Sequence, residues 1–201
     1  RREGAPEEKI RMVGNIMIDS LVDNLEQARR SPILRNLGIV PGNYVYVTLH
    51  RPANVDDRET LGRILRQLAE ISNRLPILFP VHPRTRQRIA TFQFDSLLND
   101  RIRLLEPLGY HDSLHLTENA RLVLTDSGGL QEESTFFQTP CLTLRPNTER
   151  PVTCTIGSNR LTSPDRLPVD LASILSKDRR FGSQPPAWDG RTSDRILESL
   201  W

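Results

Sequence analysis

A glycine pair that follows an apolar run is the first stretch of this chain suited to chemistry. Residues 121–124 are typical of a buried strand, and the run Leu130 to Phe137 favours a helix. Between them, Ser127-Gly128-Gly129 supplies a helix-cap residue and two glycines that let a ligand's oxygens approach the backbone N–H groups. Unpaired amides and the helix dipole both point at such a turn. The pattern predicts an anion site.

Glu133 extends this hypothesis to a second part of the same ligand. It lies six residues after Ser127, in the second helical turn, which is too far in for a capping-box glutamate. Its carboxylate could accept hydrogen bonds from two adjacent hydroxyls, such as those of a ribose. The simpler interpretation is a tight strand-to-helix connection followed by a solvated glutamate, and both interpretations are open from the residues alone.

Further polar or turn features follow the ends of other predicted strands. His50 and Arg51 follow the β-branched and aromatic run 43–49, and His82 follows the run 76–81. A histidine with an arginine could offer one switchable and one permanent charge to a diphosphate. Taken singly, each histidine is more often structural. The remaining strand-end features are the loop 107–112 and Arg145.

The elements that must position these residues alternate between strand and helix. Apolar residues recur at helical spacing over residues 16–28 and again over residues 61–71, after a cap within 54–57. The strands are continuous apolar runs, and the connections are short. The pattern predicts an α/β fold, a Rossmann-like parallel sheet flanked by helices on both faces. In such sheets ligands bind beyond the carboxyl ends of the strands.

The boundaries of this predicted domain are less regular. We expect a single domain over 1–201, with 1–30 as a linker and first helix and 165–201 as a divergent tail. Asp112 is predicted to cap a helix that runs to about Asn119. Residues 140–144 are the last predicted strand, because the pattern weakens after residue 151. Short helices are predicted at 171–175 and at 194–201, the second capped by Ser193 or Asp194.

Composition excludes several classes of function. The net charge is only +2 and the basic residues are dispersed, so we expect no nucleic-acid partner. No apolar run approaches the roughly 20 residues of a membrane span, and two cysteines make no disulfide framework. His50 and His82 lack a compact set of further ligands, so we expect no metal. Walker and Gly-x-Gly-x-x-Gly patterns do not occur in the sequence, and no cofactor is expected.

Several strings of residues together resemble the carboxyl-terminal half of the non-hydrolysing UDP-N-acetylglucosamine 2-epimerases. Order and spacing fit over roughly residues 1–165. The matching strings are Glu3-Gly4, Val13-Gly14-Asn15, Ile18-Asp19, residues 48–56 (TLHRPANVD), 79–84 (FPVHPR), 105–110 (LEPLGY), 125–133 (TDSGGLQEE), Leu144-Arg145, 148–151 (TERP) and 157–159 (GSN).

The resemblance implies a UDP-binding domain, the second of two Rossmann-like domains in the arrangement called GT-B. It implies contacts from Ser127, Gly128 and Gly129 to the diphosphate, and from Glu133 to the ribose. The uracil is expected against the loop from Tyr110 to Ser113. His50 matches a family histidine near the diphosphate that activity requires, and Arg51 lies beside it. The looser assignments are His82, Arg145 and Arg150, which are expected to contact the substrate or a second, activating UDP-N-acetylglucosamine.

The implied reaction inverts carbon 2 of the sugar in UDP-N-acetylglucosamine, by eliminating UDP to a glycal and adding it back. The family's proton-transfer carboxylates belong to its amino-terminal domain, which we expect to lie outside this chain. We therefore expect a fragment that is inactive alone, from a cytoplasmic enzyme that is a homodimer when full-length. The chain also opens without an initiator methionine.

Two departures and three alternatives accompany this resemblance. Pro52-Ala53 stands where many members carry Arg-Glu, and Val152 stands where the family usually has Glu. The first bears on specificity and the second on any carboxylate role at that position. A UDP-sugar hydrolase and a glycosyltransferase would use the same nucleotide domain, and a sugar-nucleotide sensor would bind without chemistry.

Overall fold

The fold is built on one sheet of six parallel strands. The computed structural model describes residues 4–176 and 181–200; residues 1–3, 177–180 and 201, which belong to the predicted linker, the predicted tail, the Glu3-Gly4 match and the last predicted helix, lie outside these ranges. The strand order is β3-β2-β1-β4-β5-β6. The strands are β1 Val45–Thr48, β2 Ile77–Pro80, β3 Ile102–Leu105, β4 Leu122–Thr125, β5 Cys141–Leu144 and β6 Asn159–Thr162. The predicted Rossmann-like parallel sheet is confirmed, in the strand order typical of dinucleotide-binding folds.

Helices connect the strands and cover both faces of the sheet. The longest, α1 and α4, begin at side chains that cap them, since Asn15 accepts from Met17 N and Asp57 accepts from Thr60 N. The α-helices in the described ranges are α1 Ile16–Arg29, α2 Ile33–Asn36, α3 Pro52–Val55, α4 Arg58–Ser72, α5 Pro83–Thr91, α6 Tyr110–Asn119, α7 Gly128–Phe136, α8 Pro151–Thr155, α9 Leu167–Leu175 and α10 Thr192–Leu200, and short 3₁₀ helices lie at Glu7–Lys9 and Asp95–Leu97.

The strand β1 shows why both faces are buried. Val45, Val47 and Leu49 pack into the larger core with α4 and α9, whereas Tyr44 and Tyr46 pack into a second core with α6 on the opposite face. Alternate residues of a strand point to opposite faces. A strand covered on both sides must therefore be apolar throughout, which is how the sequence marks it.

The sequence prediction missed one strand, β6. This strand pairs with β5 from Cys141↔Asn159 to Leu144↔Thr162 and forms one edge of the sheet. Its residues read Asn-Arg-Leu-Thr, of which Arg160 and Leu161 are only half-buried. An edge strand needs only one partner, and the two buried residues of β6, Asn159 and Thr162, are polar. The strand therefore carries no continuous apolar run, and the pattern gave no signal there.

Two predicted helix caps are wrong. Helix α6 begins at Tyr110 with Gly109 in the cap position, so Asp112 lies within its first turn. Helix α10 begins at Thr192, so Ser193 and Asp194 also lie inside the helix.

Among the described residues, no helix is both long and apolar enough to cross a bilayer.

Candidate functional site

The site lies where β1 and β4 end side by side at the centre of the sheet. The two strands pair in register from Val45↔Leu122 to Thr48↔Thr125, and the hydroxyls of Thr48 and Thr125 lie 2.6 Å apart. The chain leaves β1 toward β2 and leaves β4 toward β5, in opposite directions along the sheet. A crevice opens at such a switch in strand order.

A buried carboxylate, Asp126, organises the loop after β1. It accepts hydrogen bonds from the backbone N–H of His50 (3.1 Å) and Arg51 (2.9 Å) and from the side chain of Asn54 (3.1 Å). His50 Nδ1 lies 2.9 Å from Asp126 Oδ1. The Arg51 Nε donates to the Asp126 carbonyl at 2.9 Å. One acid thus fixes the loop that carries both predicted cationic residues, and it leaves the Nε2 edge of His50 for a ligand.

The Ser127 turn has the geometry of an anion site. Ser127 occupies the cap position of α7 with extended backbone, but its hydroxyl makes no capping hydrogen bond. Instead, Ser127 N donates to the Thr125 hydroxyl at 2.9 Å. A Cβ added at Gly129 would have no atom within 4 Å, so the space in front of this residue is open. The amides of the first helical turn therefore face a space that an anion can enter.

Glu133 does not lie on an exposed helix face. Its carboxyl group is largely buried, and burial together with the neighbouring charge of Glu132 raises its pKa to about 7. The Glu133 charge in turn contributes to pKa values of about 12 for Tyr46 and Tyr110, although burial is the larger cause in both. Within the described residues its side chain makes neither a hydrogen bond nor an ion pair. The free acceptor capacity suits hydroxyl donors.

A cleft of about 220 Å³ lies beside the turn, across the ends of β1, β2 and β3. His50 and His82 lie on its wall with ring centroids 6.3 Å apart. His82 caps α5, since its Nδ1 accepts from Arg84 N at 3.2 Å. The floor includes Tyr46, whose hydroxyl lies 2.8 Å from that of Ser113. Apolar walls with a few fixed polar groups are usual for nucleotide bases and cofactors.

The predicted arginines occupy different positions around the turn. The guanidinium of Arg145 is buried and pairs with both oxygens of Glu149, at 2.8 and 2.6 Å. Hydrogen bonds from Arg145 lower the pKa of Glu149 to about 2. The guanidinium of Arg150 instead lies against Gly128, because a Cβ on that glycine would be 2.7 Å from Arg150 Nη1. Arg150 thus lies at the turn, whereas Arg145 is buried and paired with Glu149.

The structure brings most of the predicted residues to one edge, but sequence reasoning missed Asp126. An acid directly after the strand β4 and directly before the Ser-Gly-Gly turn was a usable signal. At a switch point this position faces the end of the neighbouring strand β1, so a buried carboxylate there must meet the β1 loop. Asn15 and Glu132, which meet at the same turn, had no local signal because 117 positions separate them.

Fold and site together define a Rossmann-like α/β domain in which the N-terminus of helix α7 forms an anion site at the switch in strand order. The family described as UDP-N-acetylglucosamine 2-epimerase matches residues 1–201, and this chain belongs to that family. The resemblance noted from the sequence is confirmed, and the matching part is the carboxyl-terminal half of these proteins.

Named relatives support the assignment and limit it. The UDP-N-acetylglucosamine 2-epimerase of Methanocaldococcus jannaschii is 38% identical over 99% of this chain and 56% of its own length. Its crystal structure in complex with UDP-GlcNAc and UDP superposes with a TM-score of 0.81 at 39% identity, covering 98% of this chain and 57% of that one. The UDP-2,3-diacetamido-2,3-dideoxy-D-glucuronate 2-epimerase of Pseudomonas aeruginosa is 39% identical over 96% of this chain and 52% of its own length. The chain spans about half the length of these relatives.

Proposed function

We propose that this chain is the UDP-binding half of a UDP-N-acetylglucosamine 2-epimerase that interconverts UDP-GlcNAc and UDP-ManNAc. The single observation that carries this is the open Ser127 turn with the unpaired, largely buried Glu133 one turn behind it. A diphosphate at the turn amides would place the attached ribose toward Glu133. The M. jannaschii relative, whose crystal structure contains UDP, supports the assignment.

Each predicted residue has a proposed role in this arrangement. Ser127, Gly128 and Gly129 bind the diphosphate, and Glu133 accepts hydrogen bonds from the ribose hydroxyls. The uracil lies against the loop from Tyr110 to Ser113, and Ser113 lines the cleft at the ends of β1, β2 and β3. The remaining proposed contacts, to the diphosphate or sugar, come from His50, Arg51, His82, Arg145 and Arg150.

In the proposed reaction these residues stabilise the leaving group. Carbon 2 of the sugar is weakly acidic, so its deprotonation requires that the charge developing on departing UDP be stabilised. His50, fixed by Asp126, and Arg51 are positioned at the switch point for that task. We propose that the residues that move the carbon-2 proton lie outside these 201 residues, in a preceding domain. A cytoplasmic homodimer is the proposed state of the whole protein.

Calorimetry with UDP tests the proposal on the 201-residue chain. We expect UDP to bind, and Glu133→Ala to weaken it by about 1–3 kcal/mol, the range for losing a hydrogen bond to a charged group. Unchanged UDP affinity in Glu133→Ala would reject the ribose role. An epimerase assay should find turnover in the full-length protein and none in this chain alone.

A second candidate substrate follows from the P. aeruginosa relative, which is named for a diacetamido-glucuronate sugar. Both candidates carry the same UDP, so the residues of this chain serve either one. Separate assays of the full-length protein with each UDP-sugar would distinguish them by which one is epimerised.

A further inference from the structure

A chain of three side chains reaches the Ser127 turn from the start of α1. Asn15 Nδ2 donates to Glu132 Oε1 at 2.8 Å, and Glu132 Oε2 lies 3.0 Å from Arg150 Nε. Asn15 also caps α1, because its Oδ1 accepts from Met17 N at 3.0 Å. Glu132 is only 8% exposed. A buried carboxylate with two fixed partners has little freedom to serve any other role.

Helix geometry explains why Arg150 ends at Gly128. Glu132 lies four residues after Gly128, so the two share one face of α7. A guanidinium is a rigid plane, and its Nε lies 3.0 Å from Glu132 Oε2 as an ion pair without hydrogen-bond alignment. The Nη end of the same plane lies against Gly128, where an added Cβ would be 2.7 Å from Nη1 and 3.0 Å from Cζ. The first helical residue must be a glycine for the guanidinium to reach this position.

The nearby carboxylate of Glu149 is why Arg150 needs its ion pair with Glu132 to stay at the turn. Arg150 Nη1 also lies 3.6 Å from Glu149 Oε2, and Glu149 is an exposed carboxylate that already pairs with Arg145. An arginine side chain has several rotatable bonds, and without Glu132 it could swing toward Glu149 and away from the turn. The ion pair with Glu132 favours the arrangement in which the guanidinium lies against Gly128, the first residue of α7.

We propose that Glu132 is a positioning residue for anion binding: it holds the Arg150 guanidinium over Gly128, and Asn15 in turn holds Glu132. The inference rests on the proposed function, since the anion in question is the diphosphate of UDP. In this proposal Asn15 and Glu132 act on that ligand only through Arg150.

Binding of two ligands, one with a diphosphate and one without, distinguishes a role of Glu132 in positioning Arg150 from a role in supporting the fold. UDP and uridine are titrated by calorimetry into the 201-residue chain and into Glu132→Gln, which keeps an acceptor for Asn15 but removes the charge facing Arg150. The Kd for UDP should rise about tenfold, near the lower end of the range for a hydrogen bond to a charged group. The Kd for uridine, which has no phosphate, should stay within about twofold. An equal loss for both ligands, or no loss for either, overturns the proposal.

A double-variant cycle tests the route through Arg150. Arg150→Gln should weaken UDP binding, and adding Glu132→Gln to it should cost no more than a further factor of about two, because the residue being positioned is gone. A further tenfold loss in the double variant would show that Glu132 acts independently and would overturn the proposal.

Asn15→Ser supplies a variant that keeps the fold if Glu132→Gln does not. Serine caps a helix about as well as asparagine but is too short to reach Glu132. We expect a loss of about threefold for UDP and none for uridine, and an unchanged Kd for UDP overturns the role of Asn15. Absence of UDP binding by the unsubstituted chain is a different result, since it overturns the proposed function itself.

Discussion

Asp126 Oδ1 lies 2.9 Å from Nδ1 of His50, and the Asp126 side chain is completely buried while His50 is half-exposed. The carboxylate comes from the end of β4, and the histidine follows the end of β1. This contact joins the two central strands at the point where ligands enter. Because the acid lies beside Nδ1, Nε2 is the ring nitrogen left for a ligand.

The first prediction concerns the stability that Asp126 contributes. Asp126→Asn replaces one carboxylate oxygen by an NH₂ group, and both oxygens accept from the backbone N–H of His50. A donor would then face a donor in a buried position, so we expect the free energy of unfolding to fall by about 2 kcal/mol. Urea denaturation followed by circular dichroism measures this change.

Asp57→Asn is the matched control for the same chemical change. Asp57 is an exposed cap that accepts from Thr60 N at 2.8 Å, and asparagine caps equally well. Its free energy of unfolding should stay within about 0.5 kcal/mol of the parent chain. Similar losses in both variants would show that the burial and the donors of Asp126 have no special weight.

The sequence indicated which residues of this site follow strand ends, but it did not indicate which of them contact one another. His50 and Ser127 stood out because each follows an apolar run, and parallel strands bring such positions to one edge. Asp126 did not stand out, because its importance comes from donors on the loop 50–54, which lie more than 70 positions away. Periodicity records which residues a strand or helix buries, whereas it carries no information on which buried polar atoms face each other.

The second prediction concerns the pH dependence of stability, through Glu133. Its pKa is about 7 in the folded chain, against an ordinary value of 4.5. The stability that Glu133 contributes to the folded chain is therefore fully present below pH 4.5 and is lost as the pH rises through 7. Glu133→Gln, which is neutral at every pH, should match the parent near pH 4.5 and exceed its free energy of unfolding by about 2–3 kcal/mol at pH 8.

Chemical denaturation at both pH values gives these differences. Glu70→Gln, at an exposed position of α4, makes the same substitution without the burial and should shift stability by no more than about 0.5 kcal/mol at either pH. Equal stability of Glu133→Gln and the parent at pH 8 would contradict the burial argument. A gain in stability paired with weaker UDP binding is the trade-off expected of a residue kept for a ligand.

The third prediction compares two adjacent glycines. A Cβ at Gly128 would meet the end of the Arg150 side chain, which can move, whereas a Cβ at Gly129 would meet nothing within 4 Å. Both alanine variants should therefore fold with a stability within about 1 kcal/mol of the parent. Gly128→Ala should also leave Arg150 more mobile, which the NMR relaxation of its Nε–H group detects, and Gly129→Ala should not. Identical relaxation in the two variants would contradict the packing of Arg150 on Gly128.

The fourth prediction concerns Asp19, whose side chain caps a helix 173 positions later in the chain. Its two oxygens accept from Thr192 N at 3.0 Å and from Ser193 N at 2.7 Å, at the N-terminus of α10. Burial by itself would raise the pKa of Asp19, but these backbone hydrogen bonds outweigh it and lower the pKa below its ordinary 3.8. Asp19→Ala should lower the free energy of unfolding by about 1–2 kcal/mol at pH 7, as for other lost caps.

Two measurements distinguish the loss of this cap from a general loss of stability: the site of faster hydrogen exchange, and the pH dependence of the free energy of unfolding. Hydrogen exchange should accelerate most over residues 192–200, because a short helix without its cap frays from its N-terminus. The lowered pKa means that the contribution of Asp19 is present above pH 3.8 and is lost as the pH falls below it, so the difference between Asp19→Ala and the parent should shrink toward pH 2. Asp23→Ala, on the exposed side of α1, should change neither quantity. Uniformly faster exchange across the sheet would show that Asp19 supports the core rather than the cap of α10.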